Sequence, residues 1–471
     1  MTFEKIIVYV GHTFMLVLVF FSVYFYQERM LHTDNAYGVL TLINTENFII
    51  PHYRYPLVLT QFLPLLAIKF GASLKTVIIA YSANFYILYY VCFLAAMYAY
   101  QNTKVSLIIV FTLLVTTSEI FFLQTEVAHG LVFSSLFYAW LNNTTIALSK
   151  FKKFVHQLTG VIIFLISVLF HPLSALFTVF ILVWIVVEKR NWSDVKSMVF
   201  LVLAFLVLFI KAKLTPIGSY EESFYQTKEV LWNALLDLND SYVFKFFILR
   251  LQGLYLLPTL MLLFTLGWYI YKMQWLKLLY LFLVSVGYVI LASAMFKGDS
   301  EIMMERIFLC YGAIVSIGFA NVLFDASLIY QQKKAHLFLT FLTAGCLVAG
   351  IVKILEASVK YNYRLSLVKQ QAEAAQMQAG SKFYVLNKDV SYPFAMWANA
   401  CEQILYSAIH HPNKVKTVYI FKDETDAQKT LSEINPNMFL MASFYLTVYD
   451  NQLNAKYFSL APDNYKYLKL N

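Results

Sequence analysis

Asp34 lies about eight residues past the end of the first apolar run, in the stretch Glu28-Arg29-Met30-Leu31-His32-Thr33-Asp34-Asn35-Ala36-Tyr37. A carboxylate at a membrane mouth can take a proton from a hydroxyl or bind a cation, and can equally be a solvated loop acid. His52-Tyr53-Arg54-Tyr55 lies between Pro51 and Pro56, so that segment is restricted and extended. Aromatic rings beside an arginine suit stacking on a sugar and pairing with a phosphate, or an interfacial belt with a snorkelling arginine. Glu126 and His129 are three apart, hence on one helical face, and Glu119 lies inside an apolar run, where an ionisable group is expensive. His171-Pro172 forms a tight turn between two apolar runs, and Glu305-Arg306 opens another. An arginine fork at such a mouth matches phosphate oxygens. The segment from Lys213 to Lys245 carries Tyr220-Glu221-Glu222, Trp232, Asp237 and Asp240, suited to a lid or to ordinary solvated charge.

These side chains need apolar elements to hold them, and the composition supplies them. Of the 471 residues 60% are hydrophobic and only 13% charged, about half the charge of a soluble protein. Mean hydropathy is +0.63. Runs of spanning length mark a polytopic membrane protein, with about eleven spans expected near 6–26, 74–99, 105–123, 129–147, 155–170, 173–187, 197–212, 246–271, 277–295, 306–327 and 336–353. The first run is too long for a signal-peptide core and reads as a signal anchor. Leu57 to Phe70 is too short to span, is interrupted by Pro64 and Lys69, and is expected to lie in the interface.

Loops then alternate. Lys5, Lys104, Lys150, Lys152, Lys153, Lys189, Arg190, Lys196, Lys272, Lys333 and Lys334 fall on one side, which the positive-inside rule makes cytoplasmic. The loops 27–56, 124–128, 171–172, 213–245 and 296–305 fall on the other and hold the candidate residues. The net charge of +9 is thereby an orientation signal and implies no nucleic-acid partner. Four cysteines form no disulfide framework and no metal-spaced Cys/His set.

The expected organisation is mostly α: residues 1–353 a polytopic helical bundle with outward loops, and 354–471 an extracytoplasmic helix followed by a small α/β domain. In that tail Glu356 to Gly380 and the segments Tyr392–His410 and Glu424–Ile434 read as helices. Phe383–Leu386, Thr417–Phe421 and Phe439–Val448 read as strands. Abundant Lys, Asn, Tyr and Phe hint at an AT-rich genome and a bacterial inner membrane, with the N-terminus cytoplasmic and the C-terminus outside.

The assembly resembles the GT-C class of polyprenyl-phosphate-sugar-dependent glycosyltransferases: many spans, an acid in the first outer loop, interfacial helices after it, and an outward C-terminal domain. The resemblance covers the whole architecture through short, degenerate motifs. It implies an inverting sugar transfer with Asp34 as general base and Glu126 and His129 in a second acidic region. Arg306 and Arg54 would meet the lipid phosphate, and Tyr37 and Tyr53 would hold the sugar, with His52, His171 and Glu305 as neighbours in the binding site. It implies a polyprenyl-phosphate sugar as donor substrate and membrane lipid as surroundings. Many members pair two adjacent first-loop acids, whereas Asp34 is followed by Asn35, so a divalent metal lacks that second acid. Two other classes remain open: a non-catalytic subunit using its tail to hold membrane-protein partners, and a lipid or solute transporter, which buried Glu119 suggests.

Overall fold

The computed structural model describes the chain except for residues 1, 144–148, 215–227, 297–300, 391–396, 443–445 and 471. The protein is mostly helical with a small sheet region near the C-terminus. In chain order come α1 (Phe3–Tyr24), α2 (Tyr26–Met30), α3 (Thr33–Thr45), α4 (Val58–Lys69), α5 (Leu74–Leu94) with a π turn at Ala95–Ala99, and α6 (Thr103–Leu114). Then follow α7 (Glu126–Asn142), α8 (Lys150–Phe170), α9 (Pro172–Lys189), α10 (Val195–Leu214), α11 (Lys228–Leu236), α12 (Tyr242–Arg250), α13 (Leu256–Tyr271), α14 (Trp275–Met295), α15 (Glu301–Ile329) and α16 (Lys333–Met377). Among the described residues seven helical segments are long and apolar enough to cross a bilayer: α1, α5 with its π turn, α8, α9, α14, Met303–Ile329 of α15 and α16. Further apolar helices over Tyr55–Lys69, Thr103–Leu114 and Leu256–Tyr271 are shorter. Over Leu57–Phe70 the chain forms α4, whose twelve residues end at Lys69.

Two expected spans are broken. The run 105–123 stops as α6 at Leu114 and resumes only as a 3-10 turn at Glu119–Phe121. The run 246–271 divides into α12 and α13, because Pro258 lacks an N–H and its ring excludes a helical carbonyl at Leu254. Both breaks are satisfied from remote helices. Lys353 of α16 donates its Nζ to the carbonyls of Leu254 (2.7 Å) and Val115 (3.2 Å). Glu305 of α15 accepts from the backbone N–H groups of Ser118 (2.5 Å), Glu119 (2.9 Å) and Ile120 (3.0 Å). Irregular backbone survives at this depth only when protein groups replace water.

Helix α15 is the axis of the bundle, its apolar window fully enclosed by protein. A Cβ on its Gly312 would lie 2.4 Å from the Thr116 side chain, and one on Gly350 of α16 would lie 2.5 Å from the Leu114 carbonyl. The end of α6 is thus clasped between α15 and α16. At the end of the bundle that carries the Lys-rich loops, Lys104 bonds to Glu188 (2.7 Å) and Asn321 (2.8 Å), joining α6, α9 and α15.

Helix α16 runs for 45 residues, about 67 Å, without interruption. It leaves the bundle and becomes a wall of the C-terminal domain, where β1 (Lys382–Leu386), α17 (Asn399–His410), β2 (Thr417–Phe421), α18 (Glu424–Glu433), β3 (Met438–Ala442), β4 (Leu446–Tyr449) and β5 (Lys466–Tyr467) follow. Strand β1 pairs in parallel with β2 (Phe383 opposite Val418) and with β5. The stretch Phe439–Val448, expected as one strand, folds as the antiparallel pair β3 and β4. The start of the expected helix at Tyr392 lies outside the described residues; its remainder is α17.

The domain is docked on the bundle through α3. Arg364 of α16 and Glu402 of α17 form a buried ion pair. Glu402 Oε1 also accepts from the Thr33 N–H (2.7 Å), and Arg364 Nη1 donates to the Leu31 carbonyl (3.1 Å). A carboxylate there takes one of the N–H groups that every helix start leaves without an internal acceptor. It thereby fixes the turn of α3 that carries Asp34.

Candidate functional site

Asp34 projects from the first turn of α3 and reaches water, although protein surrounds its carboxyl on most sides. Trp397 of the C-terminal domain donates its indole N–H to Asp34 Oδ1 (3.0 Å), and the Trp397 ring lies 5.3 Å from that of Tyr37. Asp34 is therefore framed by two aromatic side chains from opposite ends of the sequence. Burial pushes the Asp34 carboxyl above its ordinary value, and Glu126 adds to this; Arg306 and the Trp397 hydrogen bond oppose it.

Glu126, the first residue of α7, is held by two guanidinium groups: Arg54 Nη1 at 2.9 Å from Oε1 and Arg306 Nη2 at 2.9 Å from Oε2. The segment expected to be extended instead forms back-to-back 3-10 turns over Pro51–Tyr53 and Tyr55–Leu57, because each proline fixes its φ near the helical value; these turns deliver Arg54, which is buried. Tyr53 and Tyr55 flank it and face outward. The side chain of His52 lies outside what the structure describes, as do Tyr220, Glu221 and Glu222. His171 caps α9, its Nδ1 accepting from the Leu173 N–H (3.1 Å), which leaves Nε2 as the donor of a neutral ring.

Arg54, His171 and Arg306 line one end of a cleft whose hollow, mouth included, measures about 900 Å³. Its remaining walls are apolar side chains of α9, α14 and α15, among them Leu176, Leu291, Met295 and Ile307. A second hollow of about 660 Å³, open space at its mouth included, shares Leu176, Tyr288 and Leu291 with it and continues between α9 and α14 along Phe180, Val284 and Ile314. The two form one groove with a cationic head and an apolar tail. Glu126 is shared by the two arginines, and Asp34 is a second carboxylate within electrostatic reach of Arg306.

Three expected residues stand elsewhere. His129 is buried, hydrogen-bonded through Nδ1 to the Tyr89 hydroxyl and stacked on Phe85 at 5.0 Å. It packs the core behind Glu126. Glu305 spends both oxygens on the backbone N–H groups at 118–120 and faces away from the cleft that Arg306 lines. Glu119 is paired with Lys360 at 2.8 Å. The groups that composition did not single out are Trp397, Glu402 and Arg364, which act on the Asp34 turn from more than three hundred residues away.

Asn35 explains the absent second acid. Its Nδ2 donates to the carbonyls of Arg29 (2.6 Å) and Phe122 (3.0 Å), and its Oδ1 accepts from the Gln124 N–H (3.2 Å). Only an amide can do both, and a carboxylate would oppose two carbonyl oxygens. Among the described residues no three His, Cys, Asp or Glu side chains gather as a cation site. Glu126, the carboxylate nearest in role, already serves two arginines, so this donor set does not fit a divalent metal.

Comparison of the chain with protein-family models, with curated proteins and with solved structures gives no match. The class rests on the chain itself: an integral membrane protein of long apolar helices with a small α/β domain at one end.

Proposed function

We propose that the protein is a membrane glycosyltransferase of GT-C type. On this reading it moves a sugar from a polyprenyl-phosphate carrier to an acceptor hydroxyl on the face that bears the C-terminal domain. The observation that carries the reading is the groove: Arg54, Arg306 and His171 at its head, and an apolar trough along α9 and α14 behind them. A lipid-linked sugar monophosphate is a phosphodiester with one negative charge on a long apolar chain. The paired guanidinium groups of the head suit the phosphate oxygens and the trough suits the chain.

In the reaction, Asp34 takes the proton of the acceptor hydroxyl as that oxygen bonds to the anomeric carbon. The bond from that carbon to the phosphate oxygen breaks, and the electron pair leaves with the polyprenyl phosphate. Arg306 and Arg54 stabilise the charge gathering on the leaving phosphate, an effect worth most where water is excluded. Glu126 holds both guanidinium planes in place. Tyr37 and Trp397 offer ring faces beside Asp34 for the acceptor sugar. On this reading the end with the lysine clusters faces the cytoplasm, as the positive-inside rule favours, and the C-terminal domain lies outside a bacterial inner membrane.

The test is transfer from a radiolabelled polyprenyl-phosphate sugar by protein in liposomes. Asp34→Asn should lose at least a hundredfold in rate while retaining donor binding, and Arg306→Ala should lose both. Full transfer by Asp34→Asn, with donor bound, refutes the mechanism. Failure of every polyprenyl-phosphate sugar to occupy the groove, together with co-purification of a stoichiometric membrane partner, favours the scaffold reading that the Trp397 cover over Asp34 suggests.

A further inference from the structure

Arg29 presents a charge the reaction does not use. It is 1% exposed, at the end of α2, inside the bundle. Its Nε donates to the Ser82 hydroxyl (3.0 Å) and its Nη2 approaches the Ser82 carbonyl (3.4 Å). Its guanidinium carbon lies 4.9 Å from the Tyr86 ring centre and 4.5 Å from that of Phe121. Those neighbours are neutral, and Tyr86 is also a hydrogen-bonding partner of the guanidinium. The carboxylates of the adjoining elements are committed elsewhere: Glu126 to Arg54 and Arg306, Glu119 to Lys360, Glu305 to three backbone N–H groups. Among the described residues none of them forms an ion pair with Arg29. A buried guanidinium without a counter-charge is strongly destabilising, and natural proteins pair or ligate such groups.

Nη1 of Arg29 is buried and meets no acceptor among the described residues. It borders a small chamber between α2, α5, α6 and α7, whose wall includes Tyr86, Tyr89, Thr112, Thr117 and Gln124. The Thr112 hydroxyl, 3% exposed as a residue, likewise has no partner among the described residues. The internal free volume is about 20 Å³, enough for one small body, since about 10–15 Å³ on the same measure admits a water. Among the described residues no carboxylate lines the chamber, and hydroxyl and amide groups do.

We infer that this chamber is a binding site for one small monovalent anion of halide size, held by Arg29 and the Thr112 hydroxyl. A halide supplies the missing charge, accepts from several donors without directional preference, and fits a space too small for phosphate or a carboxylate-bearing ligand. Its place has a consequence for the candidate site. The Arg29 carbonyl accepts from Asn35, the neighbour of Asp34, so an ion that settles Arg29 also settles the α2–α3 turn.

The experiment compares thermal unfolding of the purified full chain in sodium chloride, sodium bromide and sodium gluconate at constant ionic strength. The midpoint should rise by about 1–2 °C for each tenfold increase in halide above its Kd and stay flat in gluconate. Crystals grown in bromide should give an anomalous peak within contact distance of Arg29. Arg29→Gln should abolish the halide response, and Thr112→Val should weaken it while leaving Arg29 in place. Should Arg29→Gln not fold, the wild-type titration and Thr112→Val decide the matter. A halide-independent midpoint with a bromide-silent chamber means that water alone fills it and overturns the inference. No arm of the test depends on glycosyl transfer.

Discussion

Asn35 and Trp397 decide between them what Asp34 can do. Changing Asn35→Asp keeps the shape and removes both donated hydrogen bonds, setting a carboxylate against the carbonyls of Arg29 and Phe122. Leaving such buried acceptors unmet costs about 1–3 kcal/mol each, so a clear drop in the thermal midpoint is expected rather than a gain of metal-dependent activity. Differential scanning fluorimetry with and without magnesium or manganese distinguishes the two. Trp397 bears on protonation, behind burial, Arg306 and Glu126. Asp34 must be ionised to act as base, and burial raises its pKa, so transfer should fade as pH falls through a value above the ordinary Asp figure of 3.8. The Trp397 N–H lowers that pKa, so Trp397→Phe should shift the acid limb of the pH–rate profile further upward, not downward. An unmoved limb would remove Asp34 from the proton transfer. Asp34, Arg54, Glu126 and Arg306 were legible in the sequence because a charge beside an apolar run has few reasons to exist. Trp397 and Glu402 were not, because nothing local distinguishes a tryptophan or glutamate of the C-terminal domain from its surface neighbours.

At the scale of elements, each of the seven helical segments that are long and apolar enough to cross, among the described residues, overlaps an expected span, whereas length and hydropathy failed where a helix breaks inside the bundle. The breaks after Leu114 and before Leu256 depend on Lys353 and Glu305, which lie far away in sequence and whose partners are backbone atoms. No side-chain pattern announces such a partnership. Lys353→Met should therefore cost about 2–4 kcal/mol, because two carbonyls lose a charged donor at depth while the aliphatic stem is kept. Helix contact is as sharply local. A Cβ at Gly160 of α8 would stand 2.0 Å from the Trp140 ring of α7, whereas at Gly287 of α14 nothing lies within 4 Å. Gly160→Ala should lower the thermal midpoint by several degrees through overpacking, and Gly287→Ala should leave it unchanged or raise it, helix propensity favouring Ala.

For the whole molecule, the open question is whether bundle and C-terminal domain work as one piece, and the Arg364–Glu402 pair is where that can be tested. The pair is buried between α16, α17 and α3 and anchors the turn of Asp34 through the Thr33 N–H and the Leu31 carbonyl. Breaking a buried pair leaves a charge without compensation and costs about 3–5 kcal/mol. Glu402→Ala should spend that cost on docking rather than on the domain's own sheet, because Phe383, Val385, Val418, Ile420 and Leu468 form a separate apolar core away from the interface. Hydrogen exchange should then quicken in α3 and α17 while β1 and β2 stay protected, and transfer should fall although Asp34 is intact. Replacing both partners, Arg364→Met with Glu402→Leu, removes the two charges together and should recover much of the docking, since a paired apolar replacement avoids the stranded guanidinium. It should not restore activity fully, because the Thr33 N–H still lacks its acceptor and the α3 turn stays loose. Recovery of exchange protection without recovery of rate would show that Glu402 positions Asp34 beyond holding the domain down. Recovery of both would reduce the pair to a clasp.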